Sequence, residues 1–185
     1  MLALSSNYNS SLIGFLPGRG TVIWRDWYTQ EVVENTPGHP VTFAAPLSHI
    51  NVHVRDGSII LLHSKPAYTI EETRQGPYSL LVFQSSQGLA FGTAYIDDGI
   101  SNPPGPNRIL KFFSAPKQVN ISVEGDFQVE QNLTDVTILG VNSRPTSVLL
   151  NGHEVDNWTY AQQQGKLVAF QIDSNLNGPL SLEWI

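Results

Sequence analysis

Apolar residues that alternate with polar ones, in runs too short for a helix, constrain this chain more than any other feature. Val119, Ile121 and Val123 are separated by Asn120 and Ser122. Val136 and Ile138 repeat the pattern, as do Leu180, Leu182 and Trp184. A period of two places every apolar side chain on one face of an extended strand. The denser runs Ser58–Leu62 and Tyr78–Phe83 read as strands in a sandwich core. Turn chemistry separates these runs. Asn151-Gly152 is a strong two-residue hairpin signal. Asp97-Asp98-Gly99, Glu124-Gly125-Asp126, Gln87-Gly88 and Asn177-Gly178-Pro179 mark further turns. Asn102-Pro103-Pro104-Gly105-Pro106 excludes a strand ladder and makes 101–107 an open loop. No segment carries a helical stripe over three turns. The fold class expected is all-β, as two packed antiparallel β-sandwich domains. The polar stretch Glu71-Glu72-Thr73-Arg74-Gln75-Gly76 reads as a solvated linker and places a boundary near 66–76.

Composition narrows the partners. Charged residues are 14% of the chain and the net charge is −6, which argues against nucleic acid, whose phosphates need Lys and Arg. No basic run marks a membrane surface, and the longest apolar runs fall far short of the ~20 residues of a membrane span. There is no cysteine, hence no disulfide and no thiolate chemistry. Four N-glycosylation sequons start at Asn9, Asn120, Asn132 and Asn157. They point to a secreted, extracellular protein. The first residues lack the basic and apolar regions of a signal peptide. Sequons without a leader imply that an upstream part is missing.

Catalytic and metal chemistry find little support. There is no Gly-x-Ser-x-Gly elbow. His49 and His53 are four apart in a segment that alternates strictly, His49-Ile50-Asn51-Val52-His53-Val54-Arg55. On a strand that spacing is roughly 13 Å, too far for one ion. His49, Asn51, His53 and Arg55 instead form one polar face, solvated or part of an interface, with Ile50, Val52 and Val54 beneath. Asp97 and Asp98 are adjacent, so they shape a turn better than they flank a glycosidic bond. No metal and no cofactor is expected. Trp24, Trp27 and Tyr28 are candidates for an aromatic sugar contact, with Trp24 and Tyr28 on one strand face and Trp27 on the other.

In order along the chain stand Phe15-Leu16-Pro17-Gly18, Trp24-Arg25-Asp26-Trp27-Tyr28-Thr29, Ala45-Pro46-Leu47-Ser48-His49-Ile50-Asn51-Val52-His53-Val54-Arg55-Asp56-Gly57-Ser58 and Gly92-Thr93-Ala94-Tyr95-Ile96-Asp97-Asp98-Gly99. This succession resembles the region after the catalytic barrel in glycoside hydrolase family 31, nearest to the fungal secreted α-glucosidases. The resemblance covers residues 12 to 185 and weakens after 110. It implies a leader or flexible N-terminus at 1–10, a proximal β-sandwich at 11–68 and a distal one at 69–185. The family's catalytic aspartates sit in the barrel, so none carries over and the chain is expected not to be an enzyme. One departure is Ile100, where relatives usually place Glu. The expected role is support of the barrel, with His49 to Arg55 and the Trp24/Trp27 region facing it. The alternative is a stand-alone secreted carbohydrate-binding or cell-interacting protein, lectin-like or immunomodulatory. Expected partners are the barrel, glycans, or a second copy through an exposed interface.

Overall fold

A computed structural model describes residues 10–185, apart from 19, 35 and 37. The described residues are nearly all β, with one short α-helix and one 3-10 turn, and divide into two compact units at Asp56/Gly57. The first holds four short strands: β1 (Ser11–Gly14), β2 (Trp24–Asp26), β3 (Val41–Ala44) and β4 (His53–Arg55). β1 pairs with β3 and β2 with β4, both antiparallel.

The second unit contains β5 (Ser58–His63), α1 (Ile70–Arg74), β6 (Tyr78–Phe83), β7 (Ala90–Ile96), β8 (Arg108–Ala115), β9 (Gln118–Gly125), β10 (Leu133–Leu139), β11 (Val148–Leu150), β12 (His153–Glu154), β13 (Trp158–Ala161), β14 (Lys166–Ser174) and β15 (Leu180–Trp184). Its strands run in the order β12-β11-β15-β9-β8-β7-β5-β6-β10-β14-β13. β5 and β7 meet at one residue pair only, Ser58 with Phe91. The sheet turns at that point, and its two parts close over one core. Leu110, Val119, Ile121, Leu182 and Trp184 from the first part pack with Leu80, Val82, Ile138, Leu167 and Ala169 from the second. Gly92 sits at the turning point: a Cβ there would lie 2.1 Å from the Ile59 carbonyl oxygen.

The alternating runs become strands for the reason expected, since one apolar face is all a half-buried strand needs. In β8 the inward residues Leu110 and Phe112 are buried, while Lys111 and Phe113 are exposed. Asn151-Gly152 closes the β11–β12 hairpin with φ of 51° and 79°. Three features differ from the sequence reading. β6 pairs with β10, and β5 with β7, in parallel, so the sheets are not purely antiparallel. The boundary falls at 56/57, not 68/69, because β5 pairs with β6 along its whole length and so belongs to the second unit. The expected linker is the helix α1. Thr69 caps it, its Oγ1 accepting from Glu72 N at 3.1 Å, with Glu71 and Glu72 in the first turn.

Candidate functional site

The β2–β4 register assembles the aromatic and polar face of the first unit. Trp24 pairs with Arg55 and Asp26 with His53, so these four point to one side. Arg25 and Val54 pair on the opposite side and are buried. Buried Arg25 donates through Nη1 to the Gln30 carbonyl at 2.9 Å. Burial lowers its pKa, and nearby Asp56 partly offsets this. The strand stops after Asp26 because its carboxylate accepts from Tyr28 N at 2.9 Å and Thr29 N at 2.8 Å. Trp27 and Tyr28 therefore lie in a turn, and strand parity does not apply to them.

The seven-residue strand expected over 49–55 is only β4. His49 N donates to the Pro46 carbonyl at 3.0 Å, so the segment begins in a turn. β2 is three residues long and offers no partner to 49–51. Ile50 (70% exposed) and Val52 (36%) face outward rather than lying beneath a polar face; Val54 alone is buried. Asn51 Nδ2 donates to the Ala44 carbonyl at 2.8 Å, which engages it within its own unit. Tyr28 reaches the Ile50 carbonyl through its hydroxyl at 3.0 Å, and its ring lies 4.9 Å from that of His49. The two tryptophans are half-buried, and Trp24 Nε1 donates to the Pro17 carbonyl at 2.9 Å. Tyr28 is the exposed member of the three aromatics.

His53 packs on Phe43 with ring centroids 4.5 Å apart. Burial lowers its pKa below the ordinary 6.5, and Asp26 opposes this in part. Burial disfavours the Asp26 carboxylate, but the bonds from Thr29 and Tyr28, with the His53 field, outweigh it and hold its pKa below 3.8. Both shifts act in one direction. A base with a depressed pKa adds stability that is full above its unfolded value and is lost as pH falls; a depressed carboxylate does the same at lower pH. The first unit is expected to lose urea resistance from pH 7 to pH 5, as read from the indole NMR signals of Trp24 and Trp27. His53→Phe keeps the ring contact and should flatten that decline. An equal decline in both proteins would count against this role for His53.

In the second unit, the Asp97-Asp98-Gly99 turn consumes its own carboxylates. Asp97 Oδ1 accepts from Gly99 N at 2.8 Å. Asp98 Oδ1 accepts from Ile100 N and Ser101 N, both at 3.0 Å, and Oδ2 from the Ser101 hydroxyl. These bonds, the Ser101 hydroxyl first, hold Asp98 at a pKa of about 2. Arg74 of α1 docks on the turn, donating from Nη2 to the Asp97 carbonyl at 2.8 Å. Ile100 contributes its backbone N–H to the turn and exposes its side chain.

The sequons occupy different settings. Asn9 lies outside the described residues. Asn120 is half-buried at the middle of β9. Asn132 Nδ2 donates to Asp173 Oδ1 at 2.8 Å, and the Thr134 hydroxyl donates to Asp135 Oδ2 at 2.7 Å. Asn157 is exposed, and its Nδ2 donates to Gln171 Oε1 at 3.3 Å.

Comparison with known proteins agrees with this architecture. Residues 4–60 match the model of the glycosyl hydrolase family 31 C-terminal domain. The chain is 41% identical over 155 residues to an α-glucosidase of Candida tsukubaensis, covering 84% of this chain and 14% of that protein. It is 41% identical over 143 residues to an α-glucosidase of Aspergillus niger, covering 77% of this chain and again 14% of the relative. The chain thus spans about one seventh of the length of these curated relatives. Among solved structures, the glucosidase II alpha subunit superposes with a TM-score of 0.78 at 16% identity, over 97% of this chain and 22% of that one. Over most of its length the chain matches the C-terminal region of the glycoside hydrolase family 31 α-glucosidases, with residues 4–60 falling in that family's C-terminal domain.

Proposed function

We propose that this chain is the accessory C-terminal region of a secreted α-glucosidase, supporting the catalytic barrel and carrying no hydrolytic chemistry itself. One observation carries the reading. Among its described residues, the first unit buries Leu16 and Val54 but exposes Leu12, Ile13, Phe15, Tyr28, Val32, Leu47, Ile50 and Val52. An isolated exposed apolar residue is ordinary, but a small unit with more large apolar side chains outside than inside calls for a partner. The barrel is the partner we assign, seated against the 47–52 loop and the adjoining Trp24, Trp27, His49, His53 and Arg55 surface. Secretion rests on the sequons, of which Asn157-Trp158-Thr159 presents both Asn157 and Thr159 to solvent.

The test supplies this chain in trans to a fungal family 31 enzyme expressed without its own C-terminal region. The chain should restore p-nitrophenyl α-glucoside hydrolysis and thermal stability to the barrel. Leu47→Asp with Ile50→Asp should abolish rescue, because two charges would then be buried at the contact. The chain alone should neither hydrolyse maltose nor bind a glycan array, and should self-associate in sedimentation through the same face. Turnover by the chain alone would overturn the proposal. Selective glycan binding without rescue would replace it with the lectin-like alternative.

A further inference from the structure

We infer that Asn120 carries an N-linked glycan whose first sugar lies in a cleft on the outer face of the second unit and covers the Phe91–Phe113 pair. The inference rests on the secretory reading proposed above. Register supplies the geometry. Phe91 pairs with Phe113, Phe113 with Asn120, and Asn120 with Ser181, across β7, β8, β9 and β15. Paired residues of neighbouring antiparallel strands share a face and stand about 5 Å apart. The sequon asparagine is therefore the immediate neighbour of an exposed aromatic pair.

That pair calls for a cover. Phe91 is 60% and Phe113 40% exposed, with ring centroids 5.2 Å apart. They line an open cleft of about 840 Å³ that also includes Asn120, Asn151, Pro179 and Ser181. Its size lies within the ~300–1,000 Å³ of ligand sites. Its composition, an apolar floor with amide and hydroxyl groups at the side, suits a pyranose. The C–H face of the sugar packs on the rings, and its acetamido and hydroxyl groups stay at the rim. Asn120 commits the cleft to one occupant, because a sugar attached there is delivered to the rings by its own tether. The other described sequons lack this setting. Asn132 and Asn157 spend their amide nitrogens on Asp173 and Gln171.

The modification is redox-neutral. The Asn120 amide nitrogen attacks the anomeric carbon of a lipid-linked oligosaccharide pyrophosphate. The C1–Nδ2 bond forms and the C1–O bond to phosphate breaks. The lipid pyrophosphate leaves with the electron pair, and the amide gives up one proton to a base of the transferase.

The whole chain is secreted from a eukaryotic host behind a cleavable leader, and occupancy is read by peptide mass spectrometry. Trimming to one N-acetylglucosamine then allows NMR. Asn120 should be occupied in most molecules, and the ring currents of the phenylalanines should move its sugar protons upfield. The glycan should raise the melting temperature relative to Asn120→Gln. Phe113→Ser should keep occupancy but lose both the upfield shift and the thermal gain. Asn120 bare while Asn157 is occupied overturns the inference and leaves the secretory reading standing. All sequons bare overturns both. An occupied Asn120 with unshifted sugar protons, and the same thermal gain in Phe113→Ser, overturns the packing.

Discussion

Gly92→Ala is expected to destabilise the second unit by about 3 kcal/mol, the upper part of the range for an overpacked position. The added Cβ would stand 2.1 Å from the Ile59 oxygen and 2.9 Å from its carbonyl carbon. These are backbone atoms, so no rotamer change relieves the overlap. β5 cannot withdraw either, because it pairs with β6 from Ser58 to His63. Gly178→Ala is the matched control, since nothing lies within 4 Å of its added Cβ. Urea unfolding followed through the indole signals of Trp158 and Trp184 should separate the two variants. Equal midpoints would mean that β5 and β7 approach less closely than described.

Trp184→Ala is expected to cost about 3–5 kcal/mol, the usual range for removing a buried large aromatic. Trp184 is 4% exposed and packs into the common core. Its backbone is committed too: it pairs with Val148 of β11, and its N–H donates to the Lys117 carbonyl at 3.1 Å. The loss therefore opens a cavity inside a strand held on both sides by β9 and β11. Against a typical total of about 5–15 kcal/mol, this is a large share. The check is the urea midpoint read from Trp158. Trp184→Phe should recover most of the loss, and an unchanged midpoint for Trp184→Ala would remove Trp184 from the core.

The sequence made the strands of the second unit legible wherever one residue in two had to be apolar. The runs at 119–123, 136–138 and 180–184 are β9, β10 and β15. The same rule misled at 49–55. Alternation of side chains does not supply a neighbouring strand, and β2 is too short to pair with more than three residues. The parallel β6–β10 pairing left no local mark, because its strands are distant in sequence and no turn joins them. α1 was hidden by its length: five residues cannot establish a helical period, although Thr69 and Glu72 spell a capping box. The aromatics were legible as types but not as exposures. That Tyr28 is exposed while Trp24 and Trp27 are half-buried follows from the Asp26 turn. Asn120 was legible as a sequon, but its aromatic neighbours depend on cross-strand register, which adjacent residues do not encode.

The place of β15 in its sheet sets the order in which the unit can be completed. Its neighbour β9 lies far upstream, with Gln118 and Glu183 hydrogen-bonded across 65 residues of sequence. Contacts of such separation form late, since the intervening chain must surrender its freedom before any pairing rewards it. Until then β9 and β11 both present open edges, the templates on which strands of other molecules add. Recovery of soluble protein is therefore expected to depend on how quickly β15 is placed as well as on how firmly it is held once there.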